Sequence, residues 1–534
     1  MLDFHPPRPD APAETGCARI MNLATVCAGI GTDDNGSRRS GKGGFTIASP
    51  LPRGARIGCL TVFWLLLAIG RAAVAQQPAA GRPYPAYEMS ALPLLRVEGR
   101  HFVDQSGRVV VLRGVNLSGD AKVPPFLPSV DPSDLDRIVD LGFNSVRLLF
   151  LWEAYEPEPG VYDERYLSWL QGIAGQAWAR GLYVVIDVHQ DGFSRHASRG
   201  AGDGFPRWAV SPRGRASAPD NSSASKNWPM LMALDPTTHK SFDDFFADAH
   251  GVRTRYLAML ERIAGAFAAT PGVVGYDFMN EPWGHERKDL APLYRDAARI
   301  VRVAHPGALA FLEGHVTTNA GLATRLPRPE YDGVAYAPHY YQPLTVLLGR
   351  WHGMTLGMDQ AFAHMNATAA DWNVPLFLGE FGVPPGTRNA GAYLDAIYDR
   401  MDVSLASGAQ WNYSPRWTES AKDGWNGEDF SIVDDQAAAR ANYRPRPYPH
   451  RTAGLPRFFR LQRREADGRP AIAFTWENRP ELGATEIRLP RRLFPGAITV
   501  EASAPTTFER DDSRQLLICR SSTAGTITLR LRAG

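Results

Sequence analysis

Gly275-Tyr276-Asp277-Phe278-Met279-Asn280-Glu281-Pro282 and Pro375-Leu376-Phe377-Leu378-Gly379-Glu380-Phe381-Gly382 follow one plan. Each is an apolar run of the kind that forms a strand buried on both faces, and each breaks into a polar acid followed by a turn-forming residue. Both segments therefore place a Glu at the C-terminal end of a strand. In a parallel α/β barrel that end carries the chemistry, and two carboxylates facing one another there suit acid/base or nucleophilic work on a glycosidic bond.

Working outward from these segments, short β-branched runs alternate with helical stretches from about Leu94 onward, the pattern of a parallel sheet covered by helices. Eight strands are predicted: Val109 to Asn116, Ser145 to Phe150, Tyr183 to Val188, Val274 to Met279, Ala308 to Leu312, Gly333 to Ala337, Leu376 to Gly379 and Ala409 to Asn412. Eight such units make an α/β fold, a (β/α)8 TIM barrel. Between them, Arg253 to Ala269 has the apolar spacing of a core-facing helix, with Tyr256, Leu257, Leu260, Ile263, Ala264 and Phe267 on one side. From about Pro445 the texture changes to short alternating strands, Ala471 to Trp476, Thr485 to Leu489, Ile498 to Glu501 and Thr526 to Leu531, separated by turn residues. This predicts a C-terminal all-β sandwich.

A chain of 534 residues is too long for one ordinary domain, and 44% hydrophobic residues supply a large core. A net charge of only +2 gives no indication of a polyanion-binding surface, so nucleic acid is not an expected partner. Residues 1–50 are read as disordered or as a mis-assigned extension, with synthesis starting near Leu51. Arg53 and Arg56, the apolar run Ile57 to Gly70 and the small-x-small site Ala73-Val74-Ala75 make 51–75 a secretory signal peptide. That predicts a secreted or periplasmic protein. The apolar run falls short of the roughly 20 residues of a membrane span, which leaves a permanent anchor as the alternative. Residues 76–93 are then a linker, 94–444 the barrel and 445–534 the sandwich. Cys17, Cys27 and Cys59 precede the cleavage site, so Cys519 stands alone in the mature chain and no disulfide can form within it. No Cys/His spacing points to a metal, and none is expected.

Read at their strand ends, scattered polar residues converge. The second strand carries Arg147, the third runs into Asp187-Val188-His189-Gln190-Asp191, the sixth into His339-Tyr340-Tyr341, and the eighth into Gln410-Trp411-Asn412. A retaining glycosidase needs one carboxyl protonated for the leaving oxygen and another ionised to attack the anomeric carbon, about 5 to 5.5 Å away. Glu281 suits the acid/base role and Glu380 the nucleophile. Asn280 is placed to hold the sugar 2-hydroxyl, and Arg147 and Tyr341 to keep Glu380 anionic. His189 and His339 orient the carboxylates or bind hydroxyls, and Trp411 offers a stacking floor. The carboxylates supply proton transfer and nucleophile alike, so no cofactor is expected.

Phe278-Met279-Asn280-Glu281-Pro282, Leu378-Gly379-Glu380-Phe381-Gly382, His339-Tyr340-Tyr341 and Trp411 resemble the signature of the family 5 glycoside hydrolases over roughly Leu94 to Pro445. Within that family the chain is similar to the endoglycoceramidases, which cut the bond between oligosaccharide and ceramide. The likeness lies in Gly114-Val115-Asn116-Leu117-Ser118-Gly119-Asp120-Ala121-Lys122, Asp187 to Asp191, Trp283-Gly284 and Arg446-Pro447-Tyr448-Pro449-His450-Arg451. The resemblance implies that Lys122 and Asp191 bind the sugar next to the cleaved bond, and that the substrate is a glycolipid or oligosaccharide.

The segment Pro343 to Phe362, with Leu344, Val346, Leu347, Leu348, Trp351, Met354, Leu356, Met358 and Phe362, is unusually apolar for a catalytic-face loop. It is read either as a surface for a lipid tail, making transient contact with a membrane or micelle, or as an amphipathic helix packed on the barrel. Pro124, Pro125, Phe126 and Leu127 could add a second apolar wall. Two other functions stay open at this stage: a secreted endo-β-glucanase or mannanase with an open polar cleft, and a catalytically silent carbohydrate- or lipid-binding protein.

Overall fold

The computed structural model describes residues 95–197, 202–212, 228–425, 427–464 and 468–534. The extension, signal peptide and linker read over 1–50, 51–75 and 76–93 lie outside the described residues, as does much of the Gly/Arg/Ser-rich insertion after the third strand.

Eight parallel strands, Arg113–Leu117, Ser145–Leu151, Tyr183–His189, Val273–Asp277, Leu309–Leu312, Val334–Tyr336, Phe377–Leu378 and Ser407–Tyr413, pair in chain order, with the eighth also paired to the first. The ring closes between the sixth and seventh through the bridge of Tyr336 to Leu376. Helices such as Val252–Ala268 cover the outside, burying Tyr256, Leu260, Ile263, Ala264 and Phe267 as their spacing requires. The barrel interior at the strands' N-terminal end is a separate apolar cluster that includes Leu112, Val185, Val274, Leu309, Phe311, Phe377 and Ala409.

That end is plugged by a hairpin the sequence reading did not assign, extended by residues it merged into the first strand. Arg96–Glu98 and His101–Val103 form an antiparallel hairpin, and Val109–Val110 pairs with it and with Tyr448–Thr452 of the C-terminal domain. The run predicted as one strand from Val109 to Asn116 is thus divided. Val109–Val110 belongs to a seven-stranded sheet, and the barrel strand begins at Arg113. Phe102 of the hairpin lies against Phe311 of the fifth barrel strand with ring centroids 6.0 Å apart.

The C-terminal domain stacks that seven-stranded sheet on a four-stranded one, Gly454–Gln462, Ala471–Asn478, Gly525–Ala533 and Ile498–Ala502. Phe459, Phe474, Trp476, Ile487, Leu517, Ile527 and Leu529 form the core between them. Buried Cys519 is among these residues, and burial pushes its thiol up to about 12. The entering segment fastens the domain to the barrel. Arg446 pairs with Asp402 at 2.5 Å, Asp402 pairs with Arg113 of the first barrel strand at 3.0 Å, and Tyr448 donates to the Gly142 carbonyl at 3.1 Å.

Candidate active site

Glu281 follows the fourth strand by way of Phe278 and Met279, both buried. The chain keeps register beyond the strand because Asn280 N–H donates to the Val188 carbonyl at 3.1 Å, and then turns sharply, with Glu281 at φ 41°. A non-glycine residue in that left-handed region is held there by its surroundings. Gln190 Nε2 donates to the Asn280 and Glu281 carbonyls at 2.6 and 3.1 Å, and Glu281 N–H donates to Glu313 Oε2 at 3.0 Å. Glu380 follows the very short seventh strand after Gly379. A side chain at Gly379 would collide with His339, whose Nε2 lies 2.7 Å from where a Cβ would sit.

The two glutamates, both buried, face each other across His339. An oxygen of Glu281, a nitrogen of His339 and an oxygen of Glu380 lie within 4.8 Å of one another. His339 Nδ1 is 2.9 Å from Glu281 Oε1 and 3.6 Å from Glu380 Oε2, and its Nε2 is 3.1 Å from Glu313 Oε1. Glu380 accepts from Arg147 Nη1 and from the Tyr341 hydroxyl, each at 2.8 Å.

Beneath them lies fully buried Arg147. Its Nη2 lies 2.9 Å from Asp187, 2.9 Å from Asp277, 2.8 Å from the Asn280 side-chain oxygen and 3.3 Å from Glu313. Asn116 accepts from Nη1 at 3.1 Å and donates to the Gly379 and Ala409 carbonyls, tying the first, seventh and eighth strands together.

On the opposite wall His189 pairs with Asp187 at 2.6 Å and stacks on Trp411 with planes 3° apart. Lys122, at the end of the turn Gly119–Lys122, donates to Asp191 at 2.5 Å. Its ammonium lies 4.4 Å from the Trp411 ring centroid and 4.0 Å from that of Trp425. Trp411 Nε1 in turn donates to Glu428 at 3.0 Å. All nine residues picked from strand ends and from the resemblance as catalytic or substrate-binding, together with Arg147, fall in this one constellation.

The charges do not balance if every group ionises. Arg147, Lys122, His189 and His339 face Asp187, Asp191, Asp277, Glu281, Glu313 and Glu380, so four cations meet six carboxylates. Like charges in a buried site cannot all be sustained, and protons remain where burial costs most. Burial raises Glu281, and Asp191 and Glu380 raise it further against the opposing pull of His339. Burial likewise raises Asp277 and Glu313. The histidines behave oppositely. Burial favours their neutral form, but Asp187 overcomes it and pushes His189 up to about 10, while Glu313, Glu380 and Glu281 raise His339. Some of these groups have the donor types of a cation site. The positive charge there is already supplied by Arg147, Lys122 and the two imidazoles.

Several residues escaped sequence reasoning. Glu313 was findable: Ala308-Leu309-Ala310-Phe311-Leu312-Glu313-Gly314 repeats the plan of the two decisive segments, an apolar run, an acid and a turn residue. Asp277 and Asp187 sit inside quoted segments. Trp425 and Glu428 come from the loop after the eighth strand and carry no local signal at all.

The apolar segment after the sixth strand is part buried and part exposed. Trp351, Met358 and Phe362 are buried, whereas Leu344, Val346, Leu347, Leu348, Met354 and Leu356 are exposed, Leu347 at 79% and Leu356 at 81%. A short helix, Pro343–Leu348, carries the first four of the exposed residues. The second wall is smaller than expected, because Phe126 is buried and lies 5.6 Å from the Arg195 guanidinium.

Residues 103–416 match the family described as Cellulase (glycosyl hydrolase family 5), and residues 446–531 match the glycoside hydrolase family 5 C-terminal domain. Endoglycoceramidase I of Rhodococcus hoagii (strain 103S) is 30% identical over 389 residues, covering 68% of this chain and 73% of the relative. Endo-glycoceramidase II from Rhodococcus sp., solved as a ganglioside GM3 complex, superposes with TM-score 0.70 at 26% identity, over 82% of this chain and 100% of that one. The same enzyme solved as a lactosyl-enzyme intermediate gives 0.68 at 27%, over 81% and 99%. A crystal structure of endogalactoceramidase gives 0.63 at 25%, over 82% and 99%.

Proposed function

The chain belongs to glycosyl hydrolase family 5, and from that premise we propose that it is a retaining β-glycosidase that hydrolyses the bond between glycan and ceramide in glycosphingolipids. The observation that carries the chemistry is the pair of buried carboxylates whose nearest oxygens lie within 4.8 Å, a spacing that leaves no room for a water between Glu380 and the anomeric carbon. Glu380, held by Arg147 and Tyr341, attacks the anomeric carbon. As the C–O bond to ceramide breaks, the proton that burial keeps on Glu281 passes to the departing oxygen and ceramide leaves as an alcohol. Glu281, now a carboxylate, takes a proton from water, the hydroxide adds to the anomeric carbon, and Glu380 is released.

The remaining wall fits a sugar. Asn280 stands beside the acid for the 2-hydroxyl, and Trp411 offers a ring face. Lys122, Asp191 and His189 present donors and acceptors for the hydroxyls next to the cleaved bond. Lys122 remains an ammonium despite its burial because Asp191 and Glu428 raise it. The exposed leucines of Pro343–Leu348 and neighbouring Met354 and Leu356 support a lipid aglycone and transient contact with a micelle or membrane surface. A secreted or periplasmic location is part of the same reading. Among the described residues no helix is long and apolar enough to cross a membrane.

The test is incubation of the chain from Gln76 onward with ganglioside, neutral glycosylceramide and soluble β-glucan in mild detergent, with products resolved by mass. Free ceramide together with an intact sugar chain is expected. Cleavage of β-glucan alone would move the function to polysaccharide breakdown while keeping the two glutamate roles.

A further inference from the structure

Glu313 touches three parts of the site at once. Oε2 accepts from the backbone N–H of Glu281 at 3.0 Å, and Oε1 lies 3.1 Å from His339 Nε2 and 3.3 Å from Arg147 Nη2. It is buried, and both its oxygens are taken up by these protein groups. The atom it holds on the Glu281 side belongs to a residue at φ 41°, a conformation an L-residue keeps only under constraint. On the other side the imidazole it contacts reaches Glu281 Oε1 at 2.9 Å. Main chain and side chain of Glu281 are thus both connected to one carboxylate.

We propose that Glu313 is a positioning residue that fixes the backbone of Glu281 and, through His339, governs how readily Glu281 gives up its proton. This rests on the reading of Glu281 as the acid. The charged and titratable groups facing Glu313 are Arg147 from the second strand, Asp277 from the fourth, Glu281 beyond it, and His339 from beyond the sixth. Tyr294 reaches it from the covering helix, donating to its backbone carbonyl at 3.1 Å, and Tyr336 stands nearby on the sixth strand. His339 itself faces Glu281, Glu313 and Glu380.

The signs run in one direction. Burial favours the neutral form of both partners, raising the Glu313 carboxyl and opposing the imidazolium; His339 and Arg147 pull Glu313 back toward its anion, and Glu313 is the first of the carboxylates that raise His339. Replacing Glu313 by an amide removes that anion and puts an N–H against His339 Nε2, which favours the neutral ring. A neutral His339 no longer lowers Glu281, so Glu281 keeps its proton to higher pH.

Glu313→Gln is therefore expected to lower kcat on an aryl β-glycoside on the order of 10- to 100-fold with KM nearly unchanged. The alkaline limb of kcat/KM should move up by about one pH unit. Glu313→Asp keeps the charge and loses reach, so it should lower kcat while leaving the limb at its wild-type position. A limb that does not move in Glu313→Gln, or that moves equally in both variants, overturns the proposal, because lost packing alone would treat them alike. Nitrogen NMR of His339 reads the same charge without substrate. In wild-type protein the ring should be an imidazolium at neutral pH, and in Glu313→Gln it should lose its proton at lower pH than in wild type. A neutral wild-type ring overturns the proposal even if the Gln variant does not fold. Because this readout needs no turnover, its result stands apart from the outcome of the glycolipid assay.

Discussion

Along the third barrel strand Val185 and Asp187 share a face, and along the fifth Phe311 is followed two residues later by Glu313. One step of about 6.6 Å takes each strand from the apolar plug to the charged floor of the site. At the plugged end Phe102, Phe311 and Phe377 fill the barrel and the C-terminal sheet continues over them. At the other end the same strands deliver six carboxylates around one arginine and two imidazoles. The plugged end is held by burial, which is non-directional and adds up over many contacts. The floor is held by pairing, where removing one partner strands another charge in a low-dielectric interior. Stability and chemistry are therefore assigned to opposite ends of a single closed sheet, and a substitution should disturb one with little effect on the other.

The strongest way to break this comparison is at the floor. Glu380→Gln should reduce turnover on the order of 10⁴-fold or more; Arg147 keeps Asp187, Asp277 and Glu313 as partners, so thermal unfolding should shift little, measured by product release beside calorimetry. Next comes the plug. Phe102→Ala removes a buried ring that contacts the barrel interior and is expected to cost about 3–5 kcal/mol in denaturant unfolding, with kcat per folded molecule unchanged. A large loss of kcat in that variant would mean that the two ends are mechanically coupled.

A smaller effect separates the floor from its rim. Leu347→Asp combined with Leu348→Asp should raise the apparent KM for micellar glycosphingolipid on the order of 10-fold. Hydrolysis of a soluble aryl β-glycoside should be unaffected. Equal losses on both substrates would assign these leucines to packing. The smallest effect is a pH dependence at the plug. Burial, aided by Arg100 and Arg457, pushes His101 down to about 4 from its ordinary 6.5. A depressed folded-state value contributes stability that is fully present above pH 6.5 and lost as pH falls through about 4. Wild-type protein should therefore lose Tm relative to His101→Leu across that window. Parallel curves would remove His101 from the account.

The strand-end rule read much of the site from local sequence because each decisive segment states both burial and a stop. Glu313, followed by Gly314, obeys the same rule; Asp187 and Asp277 do not, because each is followed by an apolar residue and no stop marks it. Trp425 and Glu428 were not readable in this way. Nothing within a few residues of them distinguishes an active-site loop from any other, and their place depends on where the eighth strand delivers the chain. The first strand was misread for a related reason. Val109 to Asn116 is continuous in its β character, and only pairing partners divide Val109–Val110 from the barrel.

By itself the sequence determined the continuous burial of the barrel strands, the turn that follows each acid, the family signature and hence a barrel with two glutamates at its C-terminal face. These are legible because they depend on residues a few positions apart. The tertiary structure alone decided which carboxylate meets which cation, that Arg147 gathers acids from four strands, and that Glu313 reaches both the backbone of Glu281 and the ring of His339. Those contacts arise only when the sheet closes and sets the stagger of its strands. The raised proton affinity of Glu281 depends on that closure too, because it is fixed by burial and by charges brought from distant parts of the chain.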